Sequence, residues 1–414
     1  MNAHQVVEQT VRDSYGRLIA YLTINWRDWE AAEDALADAF LVALETWPKV
    51  GVPEKPEAWL LTAARRRLID GARRARVHVN ALPTLYTLSE EAQKLALSTH
   101  PFPDERLKML FICAHPAIDP AVRTPLMLQT VMGIDAARIA SAFVVKPATM
   151  GQRLTRAKAK IRGGHIQFEL PDEKDLPQCL DAVLEAIYAA YGSGWEDIAG
   201  VDSRRKGLAE EAIYMGRLLL RFMPDESEAQ GLLALMLHCE ARRNARRNED
   251  GRYVPLSEQD STLWSKTMIE EAETHLSKAA KAGNIGRFQL QAAIQSVHAQ
   301  RAFTGRTEWK EIALLYEGLV RQVPTIGAFV GRAAAVAEAY GVDRGWMLLE
   351  AIPTEVIVSY QPYWALAAHL LTRMHRDEEA RAAYSRAIGL CTDPALREFL
   401  EQQACQVSIE KKIK

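Results

Sequence analysis

An all-α protein is what this chain of 414 residues predicts, and three observations carry that prediction. Strict polar–apolar alternation, the mark of a half-buried strand, is almost absent. Apolar residues recur instead at three- and four-residue spacing along most of the chain. Alanine, leucine, glutamate and arginine, which lose little freedom in a helix, dominate the same stretches. The length exceeds one ordinary core, so two or three domains are expected. Hydrophobic residues make up 48% and charged residues 25%, the balance of a globular protein. A formal net charge of −2 excludes a wholly basic nucleic-acid binder, so any such site must be local. Five scattered cysteines, without a C-x-x-C pair, speak for reduced thiols in the cytoplasm and against a disulfide framework or a zinc site. The N-terminus lacks the apolar core of a leader, and no apolar run approaches a membrane span. The expected setting is cytoplasmic, with no membrane partner.

The first unit is placed at residues 1–76. A helix over Val6–Ile24 precedes one over Trp29–Trp47, in which Leu36, Phe40, Leu44 and Trp47 form the buried stripe and Glu33, Asp34 and Asp38 lie elsewhere. Pro48 is expected to end this helix. A loop with Pro53 and Pro56 leads into AWLLTAARRRLIDGARRAR, where Arg65, Arg66, Arg67, Arg73, Arg74 and Arg76 face one acid, Asp70. So many like charges repel one another unless a polyanion or an acidic partner offsets them; a solvated helix end is the plainer alternative. Trp47 and Trp59 flank the loop and read as core residues rather than base-stacking platforms.

Residues 77–103, with a possible helix over Ser89–Leu97, read as a linker between helical domains. A second domain is placed at 104–165. Cys113 and His115 stand alone as metal-ligand types, so packing or capping roles are expected. Pro116 and Pro120 break the helix, and Val122–Met132 forms the next. Asp135 is a good N-cap, with Ile134 and Ile139 in the relation of a hydrophobic staple. That helix ends near Phe143, and after the turn VVKP a second helix opens with Pro147 in its first turn. Met150, Leu154, Ala157 and Ile161 make its apolar stripe, while Thr149, Gln152, Arg153, Arg156 and Lys160 make a polar one. From Lys146 to Arg162 there are six basic residues and no acidic one. This is a helix-turn-helix pattern whose second helix has the chemistry of a major-groove reader: Gln can bond an adenine edge and Arg a guanine edge. Lys146, Lys158 and Lys160 are expected to touch phosphate.

AEDALADAFLVALETWP, PEAWLLTAARRRLIDGARR and the helix-turn-helix, in that order, resemble regions 2.2, 2.3–2.4 and 4.2 of a sigma-70-family RNA polymerase sigma factor of the extracytoplasmic-function type. RLKMLFICAHPAIDPAVR, ATMGQRLTRAKAKIR and ARRNARRNEDGRYVPLSEQDSTLW resemble the branch with a large C-terminal TPR-like extension. The resemblance implies that Asp34, Asp38 and Leu41 dock on the polymerase β′ coiled coil, with β as a further contact of the core enzyme. It implies that the loop 49–57 captures a flipped −10 base and that Arg65, Arg66, Asp70, Arg73 and Arg74 follow the non-template strand. Lys146, Thr149, Gln152, Arg153, Arg156 and Lys158 would serve the −35 element. Three positions depart from the pattern: Arg66 stands where many such factors carry Asn, Arg138 replaces a Glu, and Gly151 replaces a frequent Lys.

Residues 176–414 read as a series of amphipathic helices: LDAVLEAIYAAYG, 207–223, GLLALMLHCEARRNARR, 261–282 and the repeats beyond. Ala333, Gly345, Leu349 and Ile352 recur 35 residues later as Ala368, Ala380, Tyr384 and Ala387, with Phe329 matching Trp364. This period fits TPR-like helix pairs, which build a concave surface for a protein or peptide partner. Residues 287–323 look like an earlier, degenerate copy. Asp250, Gly251 and Arg252 form a sharply polar turn, expected by resemblance to be regulatory and to contact the sigma domains or polymerase; a simple Asp-Gly turn is the alternative. No nucleophile–base pair, metal cluster or phosphate loop is visible, so neither a catalytic residue nor a cofactor is expected. The reading is a promoter-specific initiation factor that acts with core RNA polymerase and promoter DNA under the control of its own C-terminal domain. A stand-alone helix-turn-helix regulator and a TPR-type scaffold remain open, as does a more remote enzyme centred on Cys113 and His115.

Overall fold

The computed structural model describes residues 3–75, 104–143, 145–165, 175–196 and 207–413. Regular structure there is helical, apart from one isolated antiparallel bridge between Arg247 and Tyr253. The expected helix over Ser89–Leu97 and the linker 77–103 lie outside the described residues. Two compact units divide the chain, Met1–Met215 and Gly216–Lys414.

The first unit opens with α1 (Ala3–Trp26), α2 (Trp29–Val50) and α3 (Pro56–Ala75). Arg27, at φ +57°, ends α1 by turning into the left-handed region, and its N–H donates to the Thr23 carbonyl at 2.8 Å. Asp28 then caps α2 by accepting the Ala31 N–H at 3.1 Å. Leu18 and Leu22 of α1, Leu36, Ala43 and Trp47 of α2, and Leu60, Ala64 and Leu68 of α3 share one core. The expected stop at Pro48 is corrected. Pro48 lies inside α2, where its ring forfeits only one hydrogen bond in the final turn. Gly51, at φ +93°, closes the helix by donating to Trp47 O at 3.0 Å.

Next come α4 (Arg106–Cys113), α5 (Pro120–Thr130), α6 (Ala136–Ala142) and α7 (Pro147–Lys160), which runs into a π-helical turn at Ile161–His165. Pro120 starts α5 rather than merely breaking α4: it takes the first position behind Asp119, which accepts the Ala121 N–H at 3.0 Å. Cys113 is fully buried with Sγ 3.7 Å from Thr130 Oγ1, and His115 Nδ1 accepts the Ala117 N–H at 3.0 Å. Both therefore serve packing and a turn. The helix α8 (Leu176–Glu196), expected to begin the C-terminal extension, packs in the first unit against α4 and α5.

Two contacts organise this unit. The first is a close approach of α1 to the chain just after α5, where a Cβ on Gly16 would stand 2.1 Å from the Val131 carbonyl oxygen. The second is a buried cation. Asp104 grips Arg106 through two hydrogen bonds, Nε to Oδ1 at 2.9 Å and Nη2 to Oδ2 at 2.7 Å. Glu211 of α9 (Leu208–Phe222) pairs with the same guanidinium, which lies 5.1 Å from the Tyr214 ring centroid. Burial opposes the charged form of Asp104, but the hydrogen bonds and charge of Arg106 outweigh it and hold the carboxyl below its ordinary pKa.

The second unit is a train of helix pairs: α10 (Ser227–Ala241), α11 (Lys266–Lys281), α12 (Arg287–Ala299), α13 (Trp309–Gln322), α14 (Ile326–Tyr340), α15 (Val342–Glu350), α16 (Gln361–Arg373), α17 (Asp377–Leu390) and α18 (Pro394–Ile413). Almost every residue of α10 is buried, because α11 and α12 cover it. Its helix stops at Ala241, earlier than the stretch to Arg247 read from sequence, and a 3₁₀ turn at Arg243–Arg246 brings Arg247 to its bridge with Tyr253. Gly286 has no side chain to cap α12, so Glu228 of α10 does so, accepting from Phe288 N at 2.9 Å and Gln289 N at 3.1 Å. The recurring residues are core residues: Ala333 and Ala368, Leu349 and Tyr384, Ile352 and Ala387 are all buried. At Gly345 a Cβ would stand 2.4 Å from the Ala337 Cβ, so α14 and α15 meet there at glycine distance. No helix among the described residues is long and apolar enough to cross a membrane.

Two changes at glycine should have opposite signs in urea unfolding. Gly16→Ala forces α1 from the Val131 carbonyl and should cost about 1–3 kcal/mol. Gly151→Ala fills open space inside α7 and should add up to about 1 kcal/mol. Asp104→Asn should cost about 1–3 kcal/mol at pH 7. Because the Asp104 pKa is depressed, its contribution is present above the ordinary carboxylate range and lost as pH falls through the folded pKa. The gap to the unaltered chain in urea midpoint should therefore close on acidification below about pH 4.

Candidate nucleic-acid interface

Burial of one face of α2 dictates what the other presents. With Leu36, Ala43 and Trp47 turned into the core, Asp34, Asp38 and Leu41 share an exposed stripe at i, i+4 and i+7. Leu41 is 59% exposed and adds an apolar side chain to the two carboxylates of this stripe. On α3 the same spacing aligns Arg66, Asp70 and Arg73, all exposed. Arg67 stands 3.7 Å from Asp38, so the acidic and basic stripes adjoin. Arg74 belongs to α3, but its side chain lies outside the described residues, as does Arg76.

Arg65 departs from its expected place on the DNA-facing stripe. It is 8% exposed, donates from Nη2 to the Tyr21 hydroxyl at 2.8 Å and lies 5.1 Å from that ring. One step along a helix turns a side chain by about 100°, so Arg65 faces α1 when Arg66 faces solvent. It props α3 against α1. The loop between α2 and α3 does present itself: Val50 is 80% exposed beside Gly51 and Val52. Trp47 and Trp59 meet edge to face at 5.5 Å, Trp47 buried, which makes them the floor of the loop rather than its tip.

The helices α6 and α7, expected as a helix-turn-helix, are built as their local chemistry dictates. Asp135 accepts from Ala137 N at 3.1 Å and Arg138 N at 3.0 Å, and Ile134 and Ile139 are buried behind it. Arg138 makes its own pair with Asp135 at 3.3 Å. Pro147 is the first residue of α7. Met150, Leu154, Ala157 and Ile161 are all buried, which leaves Lys146, Thr149, Gln152, Arg153 and Arg156 exposed. Five side chains able to bond bases or phosphates thus project from one element.

Lys158 does not join them in this arrangement. Its ammonium lies 2.7 Å from Glu33 and 5.4 Å from the Trp29 ring centroid, and its side chain is largely buried. Arg162 pairs with Glu30, and Lys160 donates to the Ala117 carbonyl. Three cations at the C-terminal end of α7 and in the turn after it are therefore engaged inside the unit, two of them with Glu30 and Glu33 near the start of α2. Sequence reasoning missed Glu30, Glu33 and Arg162 as partners. The pairs span more than a hundred residues, and no local pattern announces such a contact.

Asp250, Gly251 and Arg252 form the tip of a tight hairpin. Gly251, at φ +78°, donates to the Asn248 carbonyl at 2.9 Å, and Asn248 Oδ1 accepts the Arg252 N–H at 2.8 Å. Its base is docked on the start of α18: Arg247 reaches Asp393 at 2.5 Å, and Tyr253 stacks at a tilt on Phe399, 5.4 Å away. Arg252 lies 3.9 Å from Glu398, so it is engaged within its own unit, while Asp250 and Gly251 are exposed. Among the described residues no group of three or more His, Cys, Asp or Glu could hold a metal ion.

Comparison with known proteins agrees with this geometry at the N-terminal end. Residues 10–77, the three-helix unit with the adjoining stripes, match the family Sigma-70 region 2. Residues 179–280 match a family of unknown function, DUF6596. No solved structure matches the chain. An uncharacterized protein of Rhizobium meliloti (strain 1021) is 36% identical over 400 residues, which cover 95% of this chain and 93% of that relative. The chain therefore belongs to one family with that Rhizobium meliloti protein, and its residues 10–77 form a sigma-70 region 2 domain.

Proposed function

We propose that the protein is a promoter-specific initiation factor of the extracytoplasmic-function type, which joins core RNA polymerase and directs it to a small set of promoters. The observation that carries this reading is the pair of adjoining stripes on the region 2 domain. Asp34, Asp38 and Leu41 form a docking face for the polymerase β′ subunit, with β contacts completing the assembly. Arg66, Asp70, Arg73 and Arg74 run beside it along the non-template strand, and the exposed loop at Val50–Val52 takes a −10 base. A cationic track next to an exposed loop suits single-stranded DNA, because phosphates pair with arginine while a base leaves the stack.

In the same reading the helix-turn-helix serves the −35 element. Thr149, Gln152, Arg153 and Arg156 enter the major groove, and Lys146 holds phosphate. Lys158 takes part only once its contact with Glu33 is released. The second unit acts as an internal regulator, its TPR-like pairs offering a concave surface to a peptide or smaller partner. The exposed tip at Asp250 and Gly251 is its contact with the sigma domains or polymerase. The protein works in the cytoplasm, and neither catalysis nor a cofactor is part of this function. The exposed acidic and apolar stripe favours a polymerase-joining factor over a stand-alone DNA-binding regulator, which has no use for a second docking face.

In vitro transcription with purified core polymerase tests this. The chain should co-purify with core enzyme and yield promoter-dependent transcripts. Arg153→Ala and Arg156→Ala should each lower promoter output by roughly 5- to 150-fold, the factor that 1–3 kcal/mol of base discrimination implies. Binding to duplex operator DNA without any association with polymerase would overturn the proposal. A second comparison separates adjacent arginines. Arg66→Ala should lower promoter opening while stability stays within about 0.5 kcal/mol. Arg65→Ala should lower the urea midpoint first, because it removes the hydrogen bond to Tyr21.

A further inference from the structure

The 35-residue repeat of the second unit does more than build a core, because it also aligns side chains on the opposite face. Ala334 and Glu338 of α14 stand at the positions that His369 and Arg373 occupy in α16. These residues, with His298 of α12 and the segments around Trp264 and Trp309, line a cavity of about 680 Å³. That volume lies within the range of small-molecule sites, roughly 300–1,000 Å³, and is lined as they are, by apolar walls with a few converging polar groups.

The walls and the charges specify a ligand. Trp309 is half-buried and provides flat apolar surface, and His298 meets it edge to face at 5.4 Å. Trp264 is 5% exposed, and its indole Nε1–H is buried without a hydrogen-bond partner among the described residues. Three arginines line the cavity against one acid. Arg373 is paired with that acid, Glu338, and Arg306 with Glu308 at 2.6 Å. Arg301 differs. It lies 5.1 Å from the Trp264 ring and donates to the carbonyls of Ser257 at 2.7 Å and Gln259 at 2.8 Å. Those bonds fix the guanidinium but leave its charge uncompensated, and no carboxylate pairs with it among the described residues. Burial accordingly pushes its pKa down.

We infer that this cavity binds a small aromatic carboxylate, its ring held against Trp309 and its carboxylate neutralising Arg301. A flat ring suits the face of Trp309, and a single carboxylate matches a single uncompensated cation. His298 adds no second positive charge: burial, then the charges of Arg242 and Arg301, lower its pKa to about 4, so it is neutral at pH 7. The inference stands independently of promoter recognition, since it concerns binding to the second unit alone.

Titration of the full-length chain with 2-naphthoate, read by calorimetry and by quenching of tryptophan fluorescence, tests it. One saturable site is expected, at least 10-fold weaker for the uncharged, similarly shaped 2-naphthamide. Arg301→Gln should weaken 2-naphthoate at least 10-fold, with circular dichroism confirming that the chain still folds. Glu338→Gln should act in the opposite direction and tighten binding at least 3-fold, because it releases Arg373; a gain cannot arise from misfolding. Arg321→Gln, outside the cavity on α13, should change nothing. Absence of binding at millimolar 2-naphthoate, equal affinity for the amide, or indifference to Glu338→Gln would each overturn the proposal. So would binding of a pentapeptide ending in a free C-terminal tryptophan where 2-naphthoate fails, since that assigns the groove to peptides.

Discussion

In the first unit everything depends on how closely α1 approaches the chain that follows α5. Gly16 has the Val131 carbonyl where any other residue would carry a Cβ, and Gly133, at φ +67°, turns the chain away beside the Tyr15 ring. That contact sets the helix-turn-helix against the region 2 helices. Farther along the same segment, Lys158 and Arg162 reach Glu33 and Glu30 of α2.

Neighbouring charges in this protein have different roles because a helix separates them by a third of a turn. Arg65 and Arg66 are identical in chemistry, yet one stacks on Tyr21 in the interior and the other meets solvent. Arg156 and Lys158, two residues and about 200° apart, divide in the same way on α7. A buried guanidinium needs a partner, which Tyr21 supplies to Arg65, and Asp104 and Glu211 to Arg106. An exposed arginine in a row of its own kind has no such need within the fold, and it leaves a field that a polyanion can offset. Net charge near zero and a local cationic track are therefore compatible.

The second unit follows a different logic. Each helix pair buries small residues against the next, and the repeat imposes the same register on the outward positions. Glu338 and Arg373 pair because the stacking places equivalent positions side by side. Arg301 lies where the repeat is degenerate, beside a short helical turn at Arg301–Thr304, and there the pairing of charges fails.

What the amino-acid sequence determined by itself is the local part. Apolar spacing identified the buried faces of α2 and α7, Asp135 and Pro147 marked helix starts, and the small residues at 333, 345, 368 and 380 marked the repeat. Each is a decision among residues within one or two turns, where backbone geometry alone selects the outcome. Pro48 exposed the limit of that reasoning, since a proline forbidden in mid-helix is tolerated in a last turn. Tertiary structure alone decided which of several like charges would be spent inside the fold. The inward turn of Arg65, the capture of Lys158 by Glu33, the cap that Glu228 lends to α12 and the uncompensated Arg301 all depend on partners distant in sequence. Helical periodicity can say which face a side chain occupies, but only packing says what lies opposite it.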